Sequence, residues 1–582
     1  MDSTYDQILL IDLDHKKSRT IRPAQICAHN HLGGKDIATS LLLKLNPAGA
    51  DPLGPDNHLI FAAGPAAGNM VWGGSRYGVF TKSPLTGGYL ESYSGGRVPE
   101  ALDAAGYDAI VIRGQSREPV VLRIHPQGCD FLDGTELWGK DTFVTEDKAK
   151  ALCLAQDSQF RKTGAVVIGP AGEKQIPFAL IANDYWRCAG RGGAGAVMGS
   201  KKIKAIVFQG SQSRSVAHPD RLKAFSRQLM KDARDTPGVK AYNSFGTTQM
   251  VAILNTAGAF PGQYWNLGTV EHWKEISGDF LHREHDVKPE ACAKCFIACG
   301  RKTTVKSGRH KGMKLGGPEY ETIYAFGGLC MITDITEIIR LNDLCDRLGL
   351  DTITAGNLCA LVMEAGHLGR MEKVLEYGDA DGTARLIQDM VEGKGLGSVL
   401  AMGITRAGRE LGVEDLTVEV KGMEPAGYDP RVLKGMGLSY AVSDRGACHL
   451  RTTFYKPELS GMIDRSSTAG KAEMVIDFED RLTIFDCLIL CRFFRDLYTW
   501  DVLRELISHL TGRDFTVEEL KGFAGSITDA AREFNLREGI GPDADGLPAR
   551  ILNQPLPSGH AITLEDINVM LDDYYRIKGW KR

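Results

Sequence analysis

The chain has no uninterrupted apolar run long enough to cross a membrane. Its most apolar region, residues 61–71, is broken by Gly64, Pro65 and Gly68, whereas a membrane helix needs about 20 consecutive apolar residues. The first residues, MDSTYDQILLIDLD, contain no basic segment ahead of an apolar one. We therefore predict neither a signal peptide nor a membrane span.

The chain also lacks an excess of either charge and shows no internal repeat. The 582 residues include 69 Lys and Arg against 73 Asp and Glu, which gives a formal net charge of −4. With no long basic run, this balance argues against a nucleic acid as the main partner. The glycines follow no G-x-y repeat that would indicate collagen. What remains is a globular protein of several domains, which we expect in the cytoplasm.

Glycine and cysteine are the residues whose counts stand out. The chain has 67 glycines and 13 cysteines, the latter an odd number, and glycine exceeds its typical share of about 7%. In a chain without a leader, cysteines are more often reduced thiols or metal ligands than disulfides.

The spacing of apolar residues changes along the chain. Short apolar runs bounded by glycine and turn residues predict strands in QILLIDL, HLIFAAG, YDAIVIRG, PVVLRI, GAVVIG and KAIVFQG. After a polar connector at 210–220, helical spacing follows, first behind a capping Asp220 and later ahead of Gly349. We predict an α+β protein with a β-rich domain at 1–211 and two mainly helical domains at 212–420 and 421–582.

Three cysteines are clustered in Cys292-Ala-Lys-Cys295-Phe-Ile-Ala-Cys299. Spacings of three and four would place the thiolates on one side of a turn that tightens into a helix. There they could hold three corners of an iron–sulfur cubane or of a zinc tetrahedron. The fourth ligand must come from elsewhere, because no second C-x₂-C pair follows nearby. The spacing favours an iron–sulfur cluster, with zinc or incidental buried cysteines as alternatives.

Two other segments share a pattern, Asp346-Arg-Leu-Gly-Leu-Asp351 and Asp486-Cys-Leu-Ile-Leu-Cys491. Each begins with Asp and ends five residues later with Asp or Cys after Leu. Either segment alone would be interpreted as a helix end with a capping carboxylate. Together with the cysteine triad they are much more specific.

With these segments in place, the chain resembles the tungsten-containing aldehyde:ferredoxin oxidoreductase family, whose members carry tungsten or molybdenum on two pterins. The motifs that carry the resemblance occur in the same order over nearly the whole chain: SRYGVFTKSPLTGG, AGYDAIVIRG, CAGRGGAGAVMGSK, CAKCFIACGR, GGPEYET, DRLGLDT, DRGACH and DCLILC.

The resemblance implies a fold and a set of cofactors. A two-sheet β domain would form a base under the pterins, and two helical domains would cover them. A [4Fe–4S] cluster would be bound by Cys292, Cys295, Cys299 and Cys491. Two pterin dithiolenes would hold one tungsten or molybdenum, and a magnesium ion would bridge their phosphates.

The resemblance also implies which residues bind the pterins. Carboxylates accept hydrogen bonds from the donor-rich pterin edge, and guanidinium and exposed backbone N–H groups bind phosphate. The implied residues are Arg76, Tyr93, Gly95, Arg187, Cys188, Gly190, Asp346, Leu350, Asp351, Asp486 and Arg492. The sequence departs from the family at Tyr93 and Cys188, where Asn and Ala are more usual, and at Ile489, where glycine is usual.

Two residues match the catalytic positions of the family. Glu321 matches its general acid/base and His449 the residue that hydrogen-bonds the aldehyde oxygen; a salt-bridged glutamate and a core histidine are the ordinary alternatives. The implied reaction oxidises an aldehyde to a carboxylic acid and passes electrons through the cluster to ferredoxin or to an iron–sulfur subunit. We expect an oligomer.

A second reaction fits the same scaffold. A benzoyl-CoA-reductase-like enzyme would reduce an aromatic acyl-CoA and would favour a cysteine thiolate on tungsten, for which Cys188 and Cys330 are candidates. A non-catalytic zinc protein or electron-transfer scaffold is the remaining alternative.

Overall fold

The computed structural model describes residues 3–27, 31–156, 159–160 and 162–582. Its first sheet consists of the strands Ile8–Asp12 (β1), Lys17–Ile21 (β2), Leu59–Ala62 (β3), Tyr77–Lys82 (β4), Tyr89–Ser94 (β5) and Ala109–Arg113 (β6). Their order is β2-β1-β6-β3-β4-β5. Only the β1–β6 pair in this sheet is parallel among the described residues.

A second six-stranded sheet follows directly. It consists of Val120–His125 (β7), Gly128–Asp133 (β8), Lys162–Val167 (β9), Ile181–Asn183 (β10), Arg187–Ala189 (β11) and Ile203–Gly210 (β12), in the order β11-β10-β9-β12-β7-β8. The two sheets share one apolar core, in which the rings of Phe61 and Phe208 meet at 5.9 Å. Each of the six predicted strands is confirmed.

Beyond Gly210 the chain is mainly helical, with one small sheet of Asp286–Glu290 (β13), Gly300–Thr304 (β14) and Lys314–Gly316 (β15). The α-helices are Gly34–Leu45 (α1), Val98–Ala104 (α2), Thr142–Gln156 (α3), Pro170–Glu173 (α4), Ala194–Ser200 (α5), Pro219–Ala233 (α6), Pro237–Phe245 (α7), Gln249–Ala257 (α8), Gly278–Glu284 (α9), Tyr320–Ile323 (α10), Ile335–Leu348 (α11), Thr352–His367 (α12), Ala380–Glu392 (α13), Gly395–Leu400 (α14), Ile404–Glu410 (α15), Lys434–Val442 (α16), Tyr455–Leu459 (α17), Lys471–Leu488 (α18), Trp500–Thr511 (α19), Val517–Arg537 (α20), Ala549–Asn553 (α21) and Leu564–Lys578 (α22). The predicted α+β class is confirmed, while the domain boundaries stay a prediction.

Two predicted helix ends had different outcomes. Asp220 is not the cap of α6, because the helix begins one residue earlier, at Pro219, with His218 at the cap position; proline is well suited to a first helical position. Gly349 does end α11 in a left-handed conformation, with φ of 79°. In the part of the chain that the structure describes, no helix combines the length and apolar content that crossing a bilayer requires.

The C-terminal end of α18 packs directly on backbone of the β-rich region. A Cβ on Gly64 would lie 2.2 Å from the carbonyl oxygen of Leu488, and one on Gly34 would lie 2.3 Å from that of Asp486. Ile489 follows the helix in a left-handed conformation (φ 57°), which is rare for a β-branched residue. This contact places the 486–491 segment beside residues that are more than 400 positions away in the sequence.

We expect Gly64→Ala to lower the melting temperature, because its methyl group cannot fit against the Leu488 carbonyl. Overpacking of this kind costs about 1–3 kcal/mol. The same substitution at Gly522, inside α20 with no atom within 4 Å of its Cβ position, should instead stabilise by about 0.5–1 kcal/mol. Thermal unfolding of both variants checks the opposite signs; equal shifts would contradict the contact.

Candidate active site

The three clustered cysteines lie in the loop between β13 and β14. Lys294 and Ala298 separate Cys292, Cys295 and Cys299 and have left-handed conformations, with φ of 52° and 49°. Such residues cannot continue a right-handed helix. The predicted tightening into a helix is therefore wrong, and the loop joins two antiparallel strands.

Cys491 joins these cysteines from the segment that follows α18. Its backbone N–H donates to the carbonyl oxygen of Gly73 at 2.9 Å, and all four cysteines line one cavity of about 210 Å³. Burial, followed by the neighbouring Cys491 thiol, raises the pKa of Cys295 to about 12. The same two causes raise the pKa of Cys299. Four thiols from two distant segments thus meet in one place.

The geometry of the donor set bears on which metal group fits there. Among the described residues, no group of three or more His, Cys, Asp and Glu side chains could hold a single metal ion. A [4Fe–4S] cluster has a different requirement, because each of its four irons takes its own cysteine. Four cysteines around an open cavity suit a cluster better than one zinc ion.

Residues with phosphate-binding chemistry share the walls of this cavity. The predicted cofactor-binding residues on its wall are Arg76, Tyr93, Gly95, Arg187 and Cys188. Arg76 donates to the Tyr93 carbonyl oxygen at 3.1 Å. A Cβ on Gly95 would lie 2.9 Å from the sulfur of Cys292, so only glycine lets the two loops approach this closely.

The 346–351 segment packs against the β-rich region. The carbonyl oxygen of Gly349 accepts from the N–H of Leu180 at 2.9 Å, and Leu350 is fully buried. Asp346 accepts a hydrogen bond from Asn342 at 2.7 Å, and burial raises its pKa well above the usual range. A neutral Asp346 carboxyl could donate as well as accept.

Asp351 is engaged on both sides within the protein. It caps α12 by accepting from the N–H of Ile353 at 3.1 Å, and it pairs with Arg191 at 3.0 Å. Arg191, which follows Gly190, also pairs with Glu424 at 3.2 Å. Sequence reasoning missed Glu424, whose pKa burial raises to about 7. No motif or spacing marked this residue.

The Arg492 guanidinium contacts one carboxylate and two backbone carbonyl oxygens, and its role in cofactor binding stays a prediction. Its guanidinium donates to Asp486 at 2.6 Å and to the carbonyl oxygens of Leu450 and Leu482 at 2.9 Å each. Each of its three nitrogens is engaged, so the side chain orients Asp486. Arg451 reaches the same Asp486 oxygen at 2.9 Å.

Asp486 belongs to a buried network of charges that sequence reasoning also missed. Lys35 pairs with Glu91 at 3.2 Å and with Asp444 at 2.9 Å, while Arg451 pairs with both Glu91 and Asp486. The members come from α1, β5, the 444–451 loop and α18. Such buried charges are tolerated only when they are all paired, so the network fixes the loop between Asp444 and Arg451.

That loop carries His449, which faces Glu321. The His449 Nε2 atom lies 3.6 Å from Glu321 Oε1, and Glu321 Oε2 accepts from the N–H of Gly427 at 3.0 Å. The side chains of Glu321 and His449 keep 19% and 13% of their surface accessible, so they border open space. Burial raises the pKa of Glu321 to about 7. Burial and then Arg191 lower the pKa of His449 well below its usual range, so the imidazole is neutral at pH 7.

Aromatic rings form a wall beside this pair. The ring of Tyr428 lies 5.5 Å from that of His449 and stacks on Tyr455 at 4.1 Å. The other glutamate of the motif, Glu319, lines the cysteine cavity and accepts from the Thr247 hydroxyl at 2.5 Å. The two glutamates therefore lie at different sites, Glu319 at the cysteine cavity and Glu321 beside His449.

The cysteines named as tungsten-ligand candidates lie apart from each other. Cys330 is buried and donates to the Gly356 carbonyl oxygen at 3.3 Å, while Cys188 lines the cysteine cavity. Sequence reasoning missed Cys448, directly before His449, whose sulfur accepts from Arg445 at 2.8 Å. Burial would raise the pKa of Cys448, but Arg445 and Arg451 lower it.

Comparison with known proteins shows the class of protein to which this fold and site belong. The family model "Aldehyde ferredoxin oxidoreductase, N-terminal domain" matches residues 8–210, and the model for domains 2 and 3 of the same family matches residues 224–582. The chain therefore belongs to the aldehyde ferredoxin oxidoreductase family, as its motifs indicated.

Individual relatives are similar over nearly their full length. The chain is 36% identical to the tungsten-containing aldehyde ferredoxin oxidoreductase of Pyrococcus furiosus, over 95% of this chain and 92% of that protein. It is 35% identical to the enzyme of the same name from Thermococcus kodakarensis, over 100% and 97%. Among solved structures, the active-site complex BamBC of benzoyl coenzyme A reductase matches with a TM-score of 0.82, covering 100% of this chain and 95% of that one at 22% identity. This last likeness shows the fold alone.

Removal of Arg451 should destabilise the protein strongly. We expect Arg451→Met to cost about 3–5 kcal/mol, because it leaves the buried carboxylates of Glu91 and Asp486 without their shared partner. Arg113→Met, which breaks an ion pair to Asp12 at a largely exposed arginine, is the control and should have little effect. Thermal unfolding measures both; a small loss for Arg451→Met would contradict the role of the network.

Proposed function

We propose that this protein oxidises an aldehyde to a carboxylic acid at a tungsten or molybdenum bis-pterin and passes the electrons through a [4Fe–4S] cluster to ferredoxin. The observation that carries the proposal is the Glu321–His449 pair. It combines a carboxyl whose pKa burial raises to about 7 with an imidazole whose pKa burial lowers, and both side chains keep part of their surface accessible.

The four-cysteine cavity suits the proposed cluster. Cys292, Cys295, Cys299 and Cys491 would bind its four irons. This assignment follows from the donor chemistry and from the open space between the sulfurs.

The phosphates would be held by residues that line the same cavity, and the pterin edges by carboxylates from other segments. Arg76 and Arg187 would bind phosphate, and the backbone at Tyr93, Gly95 and Cys188 would contact phosphate and magnesium. The pterin edges would be bound by Asp346, Asp351 and Asp486, with Leu350 and Gly190 in the flanking turns.

The buried Nδ1 of His449 and Oε1 of Glu321 have no hydrogen-bond partner among the described residues, as expected of groups that face a ligand.

Glu321 and His449 have different roles in the proposed reaction. Oxidation of an aldehyde consumes one water and releases two protons and two electrons, for which the metal, when bound, would supply the acceptor. Glu321, when ionised, takes a proton from the attacking water. His449, being neutral, offers an N–H to the aldehyde oxygen and stabilises the charge that develops there. The backbone N–H of Gly427 holds the Glu321 carboxylate in position.

The benzoyl-CoA-reductase-like reaction is the second candidate, and the position of Cys188 on the wall of the cysteine cavity is the observation that favours it. It asks for a cysteine thiolate at the metal. Cys330 does not meet that need, because its sulfur is bonded to the Gly356 carbonyl oxygen in the core. The aldehyde reaction is better supported because Glu321 and His449 are placed together.

The proposed function is tested by Glu321→Gln in anaerobically purified protein. We expect aldehyde-dependent dye reduction to fall by about 10²–10⁴-fold, with iron, tungsten and molybdenum contents unchanged by elemental analysis. Glu319→Gln is the matched control and should keep its turnover, because an amide oxygen can still accept from Thr247.

Two outcomes would contradict this assignment. Full turnover of Glu321→Gln would remove the proposed base. A wild-type protein with intact cofactor that is inactive on a panel of aldehydes, but turns over benzoyl-CoA, would instead establish the second candidate.

Turnover should also depend on pH with a defined sign. Glu321 acts as a base only when ionised, and its pKa is raised to about 7. We therefore expect kcat to be low at acid pH, to rise through pH 7 and to reach a plateau above pH 8. A pH–rate profile with saturating aldehyde checks this. A flat profile between pH 5.5 and 8.5, or one that falls with pH, would contradict the role of Glu321.

A further inference from the structure

We propose that helix α6 and the adjacent 69–72 loop form the docking surface for a small acidic iron–sulfur electron carrier. The inference rests on the proposed function, since it names the surface through which the electrons of that reaction leave. We call this the α6 surface and define it by the basic residues Lys223, Arg227, Lys231 and Arg234 and by Met70 and Trp72.

Three of the basic residues form a row on one side of α6, and Arg234, the residue that ends the helix, continues that row. All four are exposed, and their spacings of four, four and three residues place them on the same side of a helix. Within the described part of the chain, none of them makes an ion pair or hydrogen bond through its side chain. The row is therefore available to a partner of negative charge.

The opposite side of α6 is fixed against the protein. Leu222, Ser226 and Ala233 are buried there, and the ring of Phe225 packs on that of Tyr498 at 6.4 Å. Because the helix is anchored along its length, the basic row is held at a defined place and not spread over a mobile segment.

Two contacts connect α6 to the 69–72 loop. The indole N–H of Trp72 donates to the Ser226 carbonyl oxygen at 2.8 Å, and the Ser226 hydroxyl donates to the Met70 carbonyl oxygen. Both bonds involve the residue that directly precedes Arg227. The basic row and the loop are thus parts of one continuous surface.

Two further contacts connect the 69–72 loop to the cysteine loop. The Trp72 ring meets the Phe296 ring at 5.3 Å, and Phe296 directly follows the proposed cluster ligand Cys295. The Lys294 ammonium donates at 2.7 Å to the carbonyl oxygen of Gly68, which directly precedes the 69–72 loop. The α6 surface therefore adjoins the loop that supplies three of the four cysteines, all of which are partly exposed.

The make-up of the surface indicates what kind of partner it fits. Met70 is a large apolar side chain with 54% of its surface exposed, and it lies beside the basic row. Transient redox complexes use small interfaces in which complementary charge speeds and orients the encounter. The chain as a whole is acidic, with a net charge of −4, so an acidic carrier would be attracted locally and not by the protein as a whole.

The transfer itself is a one-electron step. A reduced cluster in this chain would lose one electron, and one oxidised carrier cluster would gain it, so each aldehyde oxidised reduces two carrier clusters. No bond forms or breaks and no proton moves between the partners. Recognition therefore has only to bring the two clusters close together for a short time.

The test reverses two charges of the row in the holoenzyme. Lys223→Glu/Arg227→Glu is assayed with a ferredoxin rich in Asp and Glu that carries two [4Fe–4S] clusters. We expect KM for this ferredoxin to rise about tenfold or more at low salt, with a weaker dependence of KM on ionic strength. Binding measured by calorimetry should weaken in parallel. Aldehyde-dependent reduction of a viologen dye, which needs no docking surface, should be unchanged.

A matched control carries the same change of net charge elsewhere. Lys16→Glu/Arg19→Glu alters exposed residues in and beside β2, the edge strand farthest in its sheet from β5, whose end borders the cysteine cavity. This variant should bind ferredoxin nearly as the wild type does.

Three results would overturn the proposal. These are an unchanged ferredoxin KM and affinity in the α6 variant, an equal loss in the control variant, or a tightly bound iron–sulfur subunit that covers the α6 surface and survives high salt. Failure of the proposed function is distinguishable, because wild-type protein would then show no aldehyde-dependent dye reduction, while calorimetry would still report whether α6 binds ferredoxin.

Discussion

The site depends on the close contact between the end of α18 and glycines of the β-rich region. Any side chain at Gly34 or Gly64 would occupy the space of the backbone carbonyls of Asp486 and Leu488. Ile489 then turns the chain with a left-handed conformation, which costs about 1–2 kcal/mol for such a residue, and Cys491 follows. Because of this contact, one carboxylate enters the charged network and one thiol enters the cysteine cavity.

Burial acts on the two candidate catalytic groups in opposite directions, and both shifts favour the proposed chemistry. A carboxyl and an imidazole each become neutral more readily when water is removed. For Glu321 this raises the pKa to about 7, and for His449 it lowers the pKa well below the usual range. Burial thus raises the pKa of the candidate base towards neutral pH and favours the uncharged form of the candidate donor.

Much of the fold could be predicted from local pattern. The strands of the β-rich region and helices such as α11 and α12 are encoded by the spacing of apolar residues and by Gly349, and the motifs around Cys292, Glu321 and His449 indicated the family. The loop conformation at Cys292–Cys299 could not be predicted from spacing, because it depends on left-handed conformations at Lys294 and Ala298, residues with no strong preference for them.

The surroundings of the site residues were also beyond local pattern. Lys35, Glu91 and Arg451 are single charges in otherwise unremarkable segments, and only the tertiary structure pairs them. The same holds for Glu424 beside Arg191 and for Cys448 beside Arg445. A sequence motif therefore identifies residues that would contact a ligand more readily than it identifies the residues that position them.

The positions of the four cysteines in the sequence determine when, during synthesis of the chain, the cysteine cavity can be completed. Cys491 is translated 192 residues after Cys299, which at ribosomal speeds of about 5–20 residues per second takes roughly 10–40 s. During that interval the nascent chain contains only three of the four cysteines, because Cys491 has not yet been translated. The cavity is completed only when α18 has been made and has docked on Gly34 and Gly64, so a cofactor that needed all four cysteines would be inserted only after that docking.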